Sequence, residues 1–138
     1  MRSLFSKSVV IAVLSGAATG AHAAGDVASM LIGQYATQAK QENAVFPGFS
    51  AQQGKAFFLG RHGNESCTGC HTDNLKASGK HAKTGKVIEP LAPVANPIRL
   101  SDPAKVEKWF KRNCNDVLQR ACTAQEKGDV MTWLVSIK

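Results

Sequence analysis

Residues 67–71 read CTGCH. Two cysteines separated by two residues, with a histidine directly after the second, form the attachment sequence of a c-type haem. The chemistry explains the spacing. Each thiol adds to one vinyl group of the porphyrin, so Cys67 and Cys70 make the cofactor part of the covalent chain. The next residue, His71, then supplies an imidazole nitrogen to the iron. No other feature constrains the fold as much, because a chain with this segment has to close around a large, flat, apolar ring. Two rival uses of paired cysteines meet objections. A thioredoxin-like C-x-x-C belongs after a strand, and no strand pattern precedes Cys67. A zinc site would also need Cys114 and Cys122, which have seven residues between them and no knuckle pattern.

The N-terminus sets the compartment. MRSLFSK is followed by the apolar run VVIAVLSGA and by AHA at 21–23. A basic start, a short apolar core and a small-x-small cleavage site make a secretory signal peptide. The run is too short to span a bilayer. The chain therefore divides into a signal peptide, residues 1–23, and a monohaem cytochrome c domain, residues 24–138, with Ala24 as the alternative cleavage point. Export of this bacterial type predicts a periplasmic protein, in a compartment where disulfides persist. All four cysteines lie in the exported part. A domain of this size builds only a modest core, and a large apolar cofactor helps to fill it. The net charge of +7 loses two units with Arg2 and Lys7, because all ten acidic residues follow the signal. Lys76, Lys80, Lys83 and Lys86, with His81 among them, form a basic cluster. Such a cluster is either a solvated loop or a surface for an acidic partner. No nucleic-acid motif accompanies it.

Helical signals dominate the rest of the chain. Val27, Met30, Leu31 and Tyr35 recur at helical spacing in a segment from Asp26 to about Gln41, and both methionines of the exported chain, Met30 and Met131, read as core residues. SAQQ at 50–53 has the capping-box pattern and predicts a short helix through Leu59. Gly60–Leu100 is rich in glycine and proline and shows no alternation. A stretch this long inside a small domain is usually functional, and here it predicts a loop wrapped around the haem. A helix then starts at SDP, capped by Ser101 or Asp102 with Pro103 in its first turn. TAQE at 123–126 is a second capping box and opens the last helix. The fold class is all-α.

The group opposite His71 is less determined. Met131, Met30, His62 and His81 are all candidates by chemistry. Asn113 is another. It follows Val106, Trp109 and Phe110 by seven, four and three positions, so it lies on the apolar stripe of its helix and away from Lys105, Lys108 and Arg112. An inward amide needs a partner, and either the iron or a backbone group near the helix end would serve. Cys114 and Cys122 are the remaining thiols, and the oxidising compartment favours their pairing. Eight residues of continuous helix rise about 12 Å, whereas a disulfide needs Cα atoms within about 7 Å. The helix must therefore break between them. Arg99 is a candidate to neutralise a haem propionate.

At this point the sequence resembles a known family, the small periplasmic monohaem cytochromes typified by sphaeroides haem protein, with cytochrome c-double-prime as a near relative. The resemblance rests on CTGCH, on HAKTGKVIEPLAPVANPIRLSDPAKVEKWFKRNC at 81–114 and on CTAQEKGDVMTWL at 122–134. It implies a class I cytochrome c-like helical fold around covalent haem c, with an extra N-terminal helix and a long haem-wrapping loop. It also implies crossing core helices, which would account for Gly54 and Gly128. In this family the sixth ligand immediately precedes the first cysteine of a disulfide, which points to Asn113 as the distal ligand and to Cys114–Cys122 as the bridge. An amide oxygen is a hard, weak donor that suits ferric better than ferrous iron. The resemblance therefore implies that Asn113 leaves on reduction and opens the haem to oxygen, nitric oxide or carbon monoxide. It further implies electron-transfer partners, a dihaem cytochrome c and a membrane cytochrome b. Alternatives are a plain electron carrier with a permanent methionine or histidine ligand, and a haem enzyme that turns over a small gas.

Overall fold

The structure is a computed structural model and describes residues 20–138. The signal-peptide reading of residues 1–23 lies outside the described residues, except for the backbone at 20–23. The element order is α1 (Gly20–Glu42), α2 (Ala51–Leu59), α3 (Thr68–His71), β1 (Gly79–Lys80), β2 (Val87–Ile88), α4 (Pro103–Leu118) and α5 (Ala124–Ser136). The all-α reading holds, with one addition. Inside the long loop β1 and β2 pair antiparallel, Gly79 opposite Ile88 and Lys80 opposite Val87. Two residues per strand are too few for a periodic pattern to announce them. No described helix is long and apolar enough to cross a membrane.

Each helix begins where its side chains satisfy the free backbone N–H groups. Asp102, not Ser101, caps α4 and accepts from the Lys105 N–H at 3.1 Å. Thr123 and Glu126 form a complete capping box on α5, with bonds of 3.1 Å and 2.9 Å. The box expected at Ser50 is only half made. Ser50 accepts from the Gln53 N–H at 3.2 Å, but its own N–H donates to Asp129 Oδ1 at 2.7 Å rather than to Gln53.

α5 packs against both α1 and α2. The buried stripe of α1 is Ala28, Leu31, Tyr35 and Ala39, and α5 contributes Val130, Met131, Trp133 and Leu134. Met30 corrects the sequence reading. It is 45% exposed, because adjacent helix positions diverge by about a quarter turn and Leu31 takes the inward one. Glycine makes the α2–α5 crossing close. A Cβ on Gly54 would overlap the Asp129 carbonyl, and one on Gly128 would overlap the Phe49 ring. Asp129, itself buried, joins the two helices by accepting from the Ser50 N–H at the start of α2, and Gln125 Nε2 on its own helix also donates to it.

α4 lies outside this tight three-helix packing. Val106 is its buried anchor, and Phe110 packs edge-on to Tyr35 with centroids 6.1 Å apart. Glu107 accepts from the Tyr35 hydroxyl and from Lys127 Nζ, which ties α4 to α1 and α5. Burial pushes the Glu107 carboxyl up, but these two donors outweigh it and hold it below the usual range. Past Leu118 the chain turns at Gln119, whose φ of 58° is left-handed, and Cys122 returns to Cys114 with Cα atoms 5.5 Å apart. The expected break and disulfide are both present.

Two predictions follow from this packing. Gly54→Ala separates two helix backbones and should cost about 3 kcal/mol or more. Gly33→Ala, on open surface of α1 with nothing near its Cβ position, should instead add about 0.5–1 kcal/mol. Urea unfolding of the holoprotein compares them, and equal effects would contradict the crossing. Replacing both Cys114 and Cys122 by serine should lower stability by about 2.5 kcal/mol, as expected for so short a loop, in the same assay.

Candidate haem site

The motif residues sit on one helical turn. Within it the His71 N–H donates to the Cys67 carbonyl at 3.0 Å, and the Thr72 N–H to the Thr68 carbonyl at 3.1 Å. Ser66 Oγ lies 3.1 Å from the Thr68 hydroxyl and accepts from the Gly69 N–H at 3.2 Å. The winding places Cys67, Cys70 and His71 at i, i+3 and i+4, on one face. The turn stops at Thr72, which holds φ at 63° despite its β-branch. Such a conformation costs about 1–3 kcal/mol and persists only where the surroundings enforce it. Here it turns the chain away directly after His71, and the Thr72 hydroxyl donates to the Asn74 carbonyl at 3.0 Å.

The β hairpin lies against this turn. A Cβ on Gly79 would overlap the Cys70 carbonyl and crowd the His71 Cα, so only glycine permits the approach. The Ala82 N–H points at Cys70 Sγ at 3.3 Å. Above the turn, the Phe58 ring stands 5.9 Å from the His71 ring and 5.4 Å from Trp133. Sequence reasoning placed Phe58 on a helix and Gly79 in a loop without linking either to the motif. The link depends on contacts across the fold, which local pattern does not carry.

The electrostatics discriminate between uses of the motif. Burial, and then the Arg99 charge, lower the His71 pKa to about 4. Its imidazole is therefore neutral at physiological pH, the form that binds metal. Burial pushes the Cys67 thiol up to about 11, the opposite of the lowered thiol that attacks disulfides. Cys67 and Cys70 are both free, whereas Cys114 and Cys122 are bonded to each other. That removes the four-cysteine zinc site.

The loop after β2 meets α4. A cleft of about 210 Å³ is lined by Glu89, Asn96, Ile98, Arg99, Lys105 and Trp109. Ile98 and Trp109 present apolar surface there. Arg99 is fixed by donating from Nε to the Pro90 carbonyl at 2.9 Å and from Nη2 to the Glu89 carbonyl. Its remaining N–H groups are available to a carboxylate. Two thiols outside any disulfide and a neutral imidazole on one face, with the Arg99 charge near enough to act on His71, fit a covalently attached porphyrin with acidic side chains.

The distal candidates separate by environment. Met131 is fully buried in the hydrophobic core of α5. His62 Nε2 is bonded to the Phe57 carbonyl at 2.9 Å, and His81 Nδ1 accepts from the Lys83 and Thr84 N–H groups, both at 3.3 Å. Asn113 is half-buried on α4, and its side-chain amide has no hydrogen bond to any described residue. Nor does it end the helix, which runs on to Leu118. The backbone-capping alternative for this amide is therefore absent.

Known proteins resemble this chain along most of its length. Residues 44–134 match the family model described as domain of unknown function DUF1924. The chain is 41% identical over 130 residues to cytochrome c-type protein SHP of Cereibacter sphaeroides, covering 90% of this chain and 95% of that protein. It is 38% identical over 134 residues to cytochrome c'' of Methylophilus methylotrophus, covering 92% of each. The crystal structure of oxidized cytochrome c'' from the same organism superposes with a TM-score of 0.73 at 34% identity, covering 82% of this chain and 96% of that one. The structure of oxidized SHP, described as an oxygen binding cytochrome c, gives 0.69 at 40% identity, with 80% and 96% coverage. The chain belongs to this family, the monohaem cytochromes c of the SHP and cytochrome c'' kind, and its cofactor is covalently bound haem c.

Proposed function

We propose that this cytochrome transfers electrons and binds a small gas, oxygen, nitric oxide or carbon monoxide, when reduced, with Asn113 as a ligand that leaves on reduction. In this reading Cys67 and Cys70 would hold the haem by thioether bonds and His71 would be its permanent protein ligand. Bound there, haem c would supply one-electron chemistry and a binding site for a neutral diatomic molecule. His71 is ready for its part because burial keeps it neutral at physiological pH. Phe58 packs against its ring and restrains it.

The observation that carries the reading is Asn113 itself. It is an amide on the apolar side of α4, without a hydrogen-bond partner among the described residues, one position before the Cys114–Cys122 bridge. A hard amide oxygen binds ferric iron in preference to ferrous, so reduction weakens its hold. The bridge keeps the released amide close. α4 can yield slightly because side chains and a disulfide hold it, rather than close backbone packing. The relative described as an oxygen binding cytochrome c supports the same reading. The signal sequence supports a periplasmic location for residues 24–138, and resemblance suggests a dihaem cytochrome c and a membrane cytochrome b as redox partners.

The optical spectrum of the reduced protein, with and without carbon monoxide, tests this. The expected result is a high-spin ferrous spectrum that changes on carbon monoxide addition. A low-spin reduced spectrum indifferent to carbon monoxide would overturn the reading and favour a permanent sixth ligand. Asn113→Ala should alter the ferric spectrum, while Met131→Leu, a volume-conserving core change costing less than about 1.5 kcal/mol, should leave it as it is.

A further inference from the structure

We propose that the lysine loop at 76–86 is a docking surface for an acidic redox protein, which exchanges one electron with the haem through the Cys70 edge. The inference rests on the reading that Cys70 carries the haem, and it adds the chemistry of the partner and its place of contact.

Between Thr72 and Ile88 there are four lysines against a single acidic residue, Asp73. Lys76, Lys80, Lys83 and Lys86 are all exposed, and none forms an ion pair with a described residue, although Lys76 Nζ donates to the Lys138 carbonyl at 3.0 Å. The other basic surface, the outer face of α4, is different. There Lys105 is paired with Asp102 at 3.4 Å and Arg112 with Asp116 at 3.7 Å, which leaves Lys108 and Lys111. Uncompensated charge is what an approaching partner senses beyond contact range, over a screening length of about 8 Å at physiological salt. The loop therefore exerts the stronger pull on an anionic surface.

The loop is also held on the haem-attachment turn. Gly79 rests on the Cys70 carbonyl and His71 Cα, and the Ala82 N–H meets Cys70 Sγ. The Leu75 side chain is buried, and its carbonyl accepts from the Leu91 and Ala92 N–H groups at 3.1 Å and 3.0 Å. The lysines thus stand on a fixed frame, not on a free loop. Val87 is 68% exposed opposite Lys80 and gives the patch an apolar contact inside a charged surround, the usual composition of a transient interface. A partner seated here lies over the sulfur of Cys70. One electron leaves the reduced partner, which is oxidised, and the cytochrome is reduced by the same electron, with no bond made or broken between them.

Voltammetry of the holoprotein on gold bearing a carboxylate-terminated monolayer, as a defined anionic surface, tests the proposal. At low ionic strength the wild type should exchange electrons there and not on an amine-terminated monolayer. Lys83→Glu with Lys86→Glu should slow exchange on the order of tenfold, and the milder Lys83→Gln with Lys86→Gln should slow it less. Lys108→Glu with Lys111→Glu makes the same change in net charge on α4 and should leave the rate within about twofold. Equal slowing by the two glutamate pairs, or greater slowing by the α4 pair, would overturn the proposal, because charge alone or the other face would then govern approach. Carbon monoxide binding by each reduced variant is recorded in parallel. Lost exchange with retained carbon monoxide binding locates the defect in docking, and lost binding in the wild type counts against the Asn113 gate alone.

Discussion

The contact between Gly54 and the backbone of Asp129 and Val130 governs the placement of much else in this molecule. Only a residue without a side chain lets α2 and α5 approach so closely. One helical turn beyond the crossing, each helix projects an aromatic toward the same place, Phe58 from α2 and Trp133 from α5. Phe58 then meets the His71 ring. The chain from glycine to imidazole is thus short. A backbone approach fixes two rings, and one of these restrains the histidine. Asp129 reinforces the crossing by satisfying the Ser50 N–H, a donor that would otherwise be unpaired at the start of α2.

α4 is held by other means, and the contrast bears on function. Its links to the rest of the molecule include the buried Val106, the Phe110–Tyr35 ring contact, the Tyr35–Glu107–Lys127 cluster and the disulfide after Asn113. These fix its position at separate points along its length without locking its backbone against another helix. Elements that move in function come from the less densely packed parts of a structure. His71, held through Phe58 on the tight crossing, and Asn113, carried on the looser α4, therefore differ in how each is packed.

The parts of this arrangement that were legible in the sequence are the local ones. The CTGCH motif, the caps at Ser50, Asp102 and Thr123, and the break required between Cys114 and Cys122 all depend on residues within a few positions of one another. What was not legible depends on distant contacts. Gln53 was expected to complete a box at Ser50, but Asp129, 79 residues away, takes that N–H. Met30 and Leu31 both fit the apolar spacing of α1, and only packing against α5 decides which faces inward. The meeting of Gly79 with Cys70 is hidden for the same reason, since a glycine among many in a loop carries no mark of its neighbour. Asn113 is intermediate. Helical phase turned it toward the apolar side, but the lack of a hydrogen-bond partner among the described residues emerged only from the folded chain.

That unpartnered amide also sets the energetic scale for the proposed gate. Moving a group from 99% bound to 99% released requires a preference between two states of about 5.5 kcal/mol. A donor bound firmly in both oxidation states cannot supply it, because only the difference counts. A hard neutral oxygen is suited to the task, since its attraction depends on the charge of the metal and drops when an electron is added. A thioether would work in the wrong direction, as soft donors favour the lower oxidation state. Met131 in any case is fully buried, and withdrawing its sulfur would leave a cavity costing about 2–5 kcal/mol if the whole side chain were lost from the core. Asn113 as the proposed ligand would carry no comparable penalty, because its half-exposed amide would exchange one polar partner for water. In the proposed gate, the residue best suited to leave the iron is thus also the one whose departure would disturb the fold least.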